Sequence, residues 1–236
     1  MIKKIFPLLK ISSYILWVPF IITISFEMIT FSDWIYEFNW ERNNISYKTN
    51  LYKDQLNSVS DQIKDYFKND QEKIEILVQQ PGRAIFNLFN QKEIDHMVDV
   101  KNLIKATLLL EKISFFFIFF SIMIITYKNG YKQLFNLIYN IVYKSLILWS
   151  GIFFIVILGM IINFNSTFIL FHKIFFRNDL WILDPRTDYL LIMFPERFFL
   201  EICLIILTLF VAINIVLLVT SWAFDRKLNS RCNYLI

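Results

Sequence analysis

Four runs of apolar residues constrain this chain more than anything else in it. They lie at about 11–31, 106–127, 145–164 and 198–224. About 20 such residues in a helix cross the hydrocarbon core of a bilayer. Lipid offers the backbone no hydrogen-bond partners, so each run is expected to be helical. Composition agrees, with 56% hydrophobic residues, 26 Phe and only 4 Gly among 236. Mean hydropathy is +0.49, whereas soluble domains are nearer ~45–50% apolar. The expected fold class is an all-α membrane protein. Four transmembrane helices carry a small, mainly helical extracellular cap built from about 32–105 and 165–197. The whole of 1–236 then forms one membrane domain.

Charge placement orients these spans. Lys3, Lys4 and Lys10 precede the first run, and Lys128, Lys132 and Lys144 lie between the second and third. Arg226, Lys227 and Arg231 follow the fourth, against Asp225. These regions are expected in the cytoplasm, with both termini there. The first run resembles a signal sequence, but Phe26, Glu27 and Met28 stand where small residues would mark cleavage. It is therefore read as an uncleaved span. A net charge of +4, not gathered in one patch, argues against a nucleic-acid partner. Cys203 and Cys232 flank a membrane thickness, which argues against a disulfide.

The long external segment has its own pattern. Leu56, Val59, Ile63, Tyr66 and Phe67 repeat at helical spacing, and Ile74, Leu77 and Val78 are read the same way. Pro81-Gly82 breaks the chain. The helix pattern then resumes and runs into the second span, with His96, Val100, Leu103 and Thr107 on one stripe. Asp99 lies three residues after His96 and can share its face. The stretch 131–143 is amphipathic and is expected in the inner interface, with Lys132 and Lys144 reaching to water.

Two polar islands border the apolar runs. One contains His96 and Asp99. The other, 171–199, reads FHKIFFRNDLWILDPRTDYLLIMFPERFF. Ionisable residues beside a membrane are costly to keep and point to function. His96 and His172 are the only histidines. Imidazole suits proton transfer near neutral pH, so the pair can serve as base and acid if they meet. Asp99, Asp179, Asp184 and Asp188 are candidate partners that would fix an imidazole tautomer. Asn178-Asp179 also reads as a helix cap, and Asp184-Pro185 as a turn. Arg177, Arg186 and Arg197 can hold a phosphate headgroup, a carbonyl or one of the acids, or form plain ion pairs. Trp181, Phe171, Phe175, Phe176 and Phe194 can wall a water-poor site, or form an interfacial belt. No serine-nucleophile, phosphate-loop or zinc-protease motif occurs.

The segment His96-Met97-Val98-Asp99-Val100-Lys101, together with 171–199, resembles the lipoprotein intramolecular transacylase family of small Gram-positive membrane proteins. The resemblance covers the span layout of the whole chain and is sharpest in the two islands. It implies a four-span bundle with an extracellular cap in the cell membrane. It implies an enzyme that moves the sn-2 acyl chain of a diacylglyceryl-modified lipoprotein to the α-amino group of its N-terminal cysteine. It also implies catalytic roles for His96 and His172. Partners would be lipoproteins and membrane lipid, with no cofactor and no metal. Asp99, Asn178, Asp179, Trp181, Asp184, Arg186, Glu196 and Arg197 would support the site. Three other readings stay open: a metal-dependent intramembrane hydrolase using His96, Asp99, His172 and Asp179, a non-catalytic lipoprotein binder, and a transporter.

Overall fold

The computed structural model describes residues 2–80, 82 and 84–233. Its helices are α1 (Ile2–Thr30), α2 (Asp33–Arg42), α3 (Ile45–Thr49), α4 (Lys53–Lys68), α5 (Gln91–Asn129), α6 (Leu134–Ile162), α7 (Phe164–Phe175), α8 (Tyr189–Met193) and α9 (Glu196–Asn233). Four helices are long and apolar enough to cross a membrane: Phe6–Thr30 in α1, Gln91–Asn129, Tyr131–Ile162 and Glu196–Ser230. Their outward faces leave Phe116, Phe117, Ile155 and Val219 exposed, as lipid-facing side chains require.

The chain divides into two compact units. The first comprises Met1–Phe26, Leu108–Leu158 and Ile206–Ile236. Its core gathers Trp17, Val18 and Ile21 with Ile118, Ile125, Leu137, Ile141, Val142 and Phe210. Leu137, Ile141 and Val142 belong to the stretch expected in the inner interface. They are instead the opening turns of α6 and are fully packed. The loop before them shrinks to Gly130, with φ at 87°, and a single 3-10 turn Tyr131–Gln133. A buried asparagine ties α1 to α9 inside this core. The Trp17 indole N–H donates to Asn214 Oδ1 at 3.0 Å, and Asn214 Nδ2 donates to the Phe210 carbonyl at 2.8 Å.

The second unit comprises Glu27–Thr107 and Gly159–Ile205. All five apolar residues read on α4, from Leu56 to Phe67, are buried there. They pack α4 on α2, while α3 packs on α2 and α8. Trp40 and Tyr36 of α2 meet Phe194 at 5.6 and 6.2 Å between ring centroids. Asn39 Nδ2 donates to the Met193 carbonyl at 2.8 Å. Residues 74–80 are not helical as the spacing predicts. Ile74, Ile76, Val78 and Gln80 are buried and the residues between them exposed, a period of two. Leu77–Val78 forms β1 and pairs antiparallel with β2 (Phe86–Asn87), Leu77 opposite Asn87. The β-branched residues at alternate positions favour this extended form. Pro81 lies outside the described residues.

The Trp17–Asn214 contact gives a stability test. Asn214→Leu leaves a buried indole N–H without its acceptor, and interhelical hydrogen bonds in membranes contribute about 1 kcal/mol. Unfolding in mixed micelles should show that loss. The Trp17→Phe/Asn214→Leu double variant should lose less than the two single losses added. Strict additivity would mean the bond contributes nothing.

Candidate active site

The site is built in the second unit, and it starts from a helix cap. Asn90 precedes α5 and Glu93 stands three residues on. Asn90 Oδ1 accepts the Glu93 N–H at 3.1 Å, and Glu93 Oε2 accepts the Asn90 N–H at 2.7 Å. This reciprocal pair is a capping box, which satisfies two otherwise unpaired donors. Here it reaches further. Glu93 Oε1 accepts the Leu190 N–H at 2.6 Å, and Asn90 Nδ2 donates to Asp188 Oδ1 at 3.0 Å. Asp188 Oδ2 in turn accepts the Asp184 N–H at 2.8 Å. Glu93 is only 1% exposed. Desolvation pushes its carboxyl above the ordinary value, opposed by the two backbone N–H groups. Lys92 adds a bond to the Ile182 carbonyl. The first turn of α5 is thus tied to the 182–190 loop, and His96 follows one turn later.

His172 arrives from α7. Asn163 caps that helix, its side chain accepting the Ser166 N–H at 3.0 Å. Gly159 lets α7 close in, since a Cβ there would lie 3.1 Å from Thr167 Oγ1. His172 sits in the last turn of α7 and is buried. Its Nδ1 lies 2.7 Å from the Phe168 carbonyl oxygen. A carbonyl only accepts, so Nδ1 carries the proton and Nε2 of the neutral ring holds the lone pair.

The two imidazoles meet, with ring centroids 6.2 Å apart. Aromatic rings enclose them. Phe176 lies 5.3 Å from His96 and 5.5 Å from His172. Phe168, Trp181 and Phe171 lie 4.3, 4.9 and 5.4 Å from His172. The Nδ1 of His96 is buried and meets no hydrogen-bond partner among the described residues. His96 precedes the apolar run of α5 that begins at 106. Burial, then the neighbouring His172, lower its pKa from 6.5 to about 4, against a smaller opposing effect of Asp99. Burial also lowers the pKa of His172, and the Phe168 carbonyl opposes it. Both rings are neutral at pH 7.

Other sequence-read residues fall around this centre in distinct roles. Asp99 Oδ2 accepts from Asn178 Nδ2 at 2.8 Å, which joins α5 to the second island. Asn178 Oδ1 accepts the Leu180 N–H at 3.1 Å, an Asx turn rather than a helix cap. Asp184 opens a turn and holds Arg186 in a forked pair, with bonds of 2.7 to 3.2 Å. That cation holds the Asp184 carboxyl at a pKa of about 2. Glu196 accepts from Asn165 Nδ2 at 2.7 Å, and Arg197 pairs with Glu201 at 3.1 Å. Asp179 accepts, through its backbone carbonyl, the Ile182 N–H at 3.2 Å. Phe194 packs against Tyr36 and Trp40 in the second unit rather than against the histidines. Among the described residues no three His, Cys, Asp or Glu side chains gather as a metal site would need. Two contributors escaped the sequence reading. The Asn90-x-x-Glu93 pattern carried its own capping signal, whereas the Phe168 carbonyl has none.

Two predictions follow from this geometry. Glu93→Ala strips the Asn90 and Leu190 N–H groups of their acceptor, and hydrogen bonds to a charged group contribute ~1.5–3 kcal/mol each. Glu93→Gln keeps an acceptor and should lose less, as reversible unfolding in micelles would report. The histidines give the second. The folded pKa of His96 lies below the unfolded 6.5. The unfolded chain therefore binds protons more readily between those values. Native stability should fall as pH drops from 6.5 toward about 4. Histidine NMR in micelles should find His96 still neutral at about pH 5.5. His172→Ala should raise its midpoint yet leave it under 6.5, because burial is the larger cause.

With this geometry in hand, the chain can be compared with known proteins. A family model described as lipoprotein intramolecular transacylase Lit matches residues 11–199. Solved structures of the membrane integral lipoprotein intramolecular transacylase Lit from Bacillus cereus share the fold. One matches with a TM-score of 0.77 at 20% identity, covering 98% of this chain and 99% of that one. A form with a histidine-to-arginine mutation gives 0.72 at 19%, covering 99% and 96%. A histidine-to-alanine form gives 0.72 at 19%, covering 98% and 97%. No curated protein matches the chain.

Proposed function

The chain belongs to the lipoprotein intramolecular transacylase family of membrane acyltransferases, and on that premise we propose its reaction in detail. The substrate is a lipoprotein whose N-terminal cysteine carries a diacylglyceryl group on sulfur. The sn-2 acyl chain moves to the α-amino nitrogen of that cysteine. The product is a lyso-form lipoprotein with one N-acyl chain and one remaining ester. The observation that carries this reading is the pair of neutral imidazoles 6.2 Å apart in an aromatic, desolvated setting.

The chemistry balances without a covalent enzyme intermediate. The amine enters as NH2, having released a proton to solvent from an ammonium of pKa ~7.7–8.0. Its nitrogen attacks the sn-2 ester carbonyl carbon and an N–C bond forms. The nitrogen then gives a proton to His172 Nε2, the lone-pair nitrogen left by the bond to Phe168. The bond between the carbonyl carbon and the glyceryl oxygen breaks, and His96 relays the proton from His172 to that oxygen. Both rings are neutral before the reaction, so each has a lone pair free to take a proton. Donor and acceptor are parts of one molecule, and holding them in contact supplies ~7–11 kcal/mol of the barrier reduction. The ring closed in the attack contains the amine, Cα, Cβ, sulfur, two glyceryl carbons, the ester oxygen and the carbonyl carbon. Such a ring closes poorly when free, and Phe176, Trp181, Phe168 and Phe171 can hold it folded. Asp99, Asn178, Asp179, Asp184, Arg186, Glu196 and Arg197 act as frame, not as proton carriers.

Under this proposal the histidine site faces outward, where exported lipoproteins arrive, and both termini lie in the cytoplasm. The lysines flanking the spans support that orientation. The reaction is tested in a host that makes only diacylglyceryl lipoproteins. Mass spectrometry of the N-terminal peptide should find the amine acylated and the acyl count unchanged. His96→Ala and His172→Ala should each lower turnover by at least ~10²-fold, the usual scale of general acid–base catalysis. An unmodified peptide beside well-folded enzyme sinks the reaction, and full activity in either variant sinks the two-histidine mechanism.

A further inference from the structure

A second built site lies in the first unit and takes no part in the chemistry above. A cavity of about 190 Å³ is lined by side chains of α1, α5 and α6 and by the turn before α6. Lys10 and Lys144 supply two ammonium groups to it, and Asn129, Gln133 and Asn140 supply amides. Thr126 also lines it, and its hydroxyl is buried with no partner among the described residues. Tyr14 lies under Lys144, whose Nζ is 5.3 Å from the ring centroid. One carboxylate stands nearby: Asp225 accepts from Asn136 at 3.5 Å. Asn136 is a lining residue, and it also accepts from Asn140 at 2.7 and 2.8 Å. Two cations against one peripheral anion leave the cavity electropositive.

The cavity shares part of its wall with an apolar groove. Tyr14 and Lys144 line both. The groove holds about 350 Å³, and Ile11, Ile15, Ile147 and Leu148 form the rest of its wall. All four are exposed. A donor-rich pocket beside an apolar groove matches one ligand class: a charged head joined to a hydrocarbon chain. A soluble anion would use only the pocket, and a neutral lipid only the groove.

We propose that this is a binding site for an anionic phospholipid. The phosphate sits between Lys10 and Lys144, the amides and the Thr126 hydroxyl bond its oxygens and glycerol, and one acyl chain lies along Ile11, Ile15, Ile147 and Leu148. The lipid is a structural ligand that staples α1 to α6. The site is independent of the transacylase reading.

Native mass spectrometry tests this on the purified full chain. Dioleoyl phosphatidylglycerol should remain bound as a single adduct where dioleoyl phosphatidylcholine is lost. Lys10→Gln and Lys144→Gln should each weaken retention by about fivefold, the scale of one lysine against an anionic lipid. Lys144→Arg should retain it, which separates lost charge from lost fold. Lys227→Gln, a basic change outside the cavity, should have no effect. Equal loss in Lys227→Gln would mean diffuse attraction and overturn the site. Full displacement of the lipid by millimolar inorganic phosphate or glycerol phosphate would mean an anion pocket without a lipid groove, and would overturn it equally. So would equal retention of phosphatidylcholine.

Discussion

The buried carboxylate of Glu93 is the constraint on which the histidine site depends. A carboxylate removed from water is tolerated only where donors replace the lost hydration. Glu93 meets that condition with two backbone N–H groups from different segments, Asn90 and Leu190. Those segments are far apart in sequence, so one side chain fixes the start of α5 against the 184–190 loop. Asn90 and Asp188 close the same ring of contacts from the other side. His96 rides on the next turn of α5, and the Asp99–Asn178 bond repeats the tie one turn beyond. The position of His96 relative to the second island therefore follows from polar contacts that break together. The carboxyl stays in place because moving it would strand several buried groups at once.

His172 is held by a different device. Its partner is a backbone carbonyl four residues earlier on its own helix, not a carboxylate. A carboxylate would have raised the imidazole pKa and stabilised the imidazolium. The carbonyl fixes the tautomer with much less charge stabilisation, so burial dominates and the ring stays neutral. Two aspartates of the island are engaged elsewhere, Asp184 with Arg186 and Asp188 with Asn90. The carboxylates shape the loop, and the aromatic rings set the electrostatics of the pair.

Much of this was legible in the sequence because it rests on strong, local signals. The four apolar runs needed only length and composition, and the α4 stripe only its spacing. The two histidines stood out as the sole imidazoles in polar islands. What was missed shows where such signals weaken. Ile74, Leu77 and Val78 fit a helical spacing by chance, yet Ile74, Ile76 and Val78 also fit a period of two, and the pairing with Phe86–Asn87 decided between them. Ile141 and Val142 looked interfacial beside Lys132 and Lys144, but a tight Gly130 turn let α6 begin there and bury them. The Glu93 clamp was half visible as a capping box, while its bond to Leu190 depends on tertiary structure. The Phe168 carbonyl could not be seen at all, since every residue carries one.

In the proposed reaction, the same desolvation that lowers the histidine pKa values also bears on reaction choice. An ester beside two imidazoles is exposed to attack by water as well as by an amine. Water in such a site needs open volume and polar partners to enter. Around His172 the nearest groups are Phe168, Trp181, Phe171 and Phe176, which provide few partners. An amine tethered to the ester does not have to enter separately, because it arrives with the substrate. Excluding water therefore slows hydrolysis while leaving the intramolecular attack untouched. A more hydrated site with a carboxylate on each histidine would make a stronger base, but it would admit the competing nucleophile. In that proposal the buried pair gives up basicity and gains discrimination, a workable exchange where effective concentration supplies part of the barrier reduction.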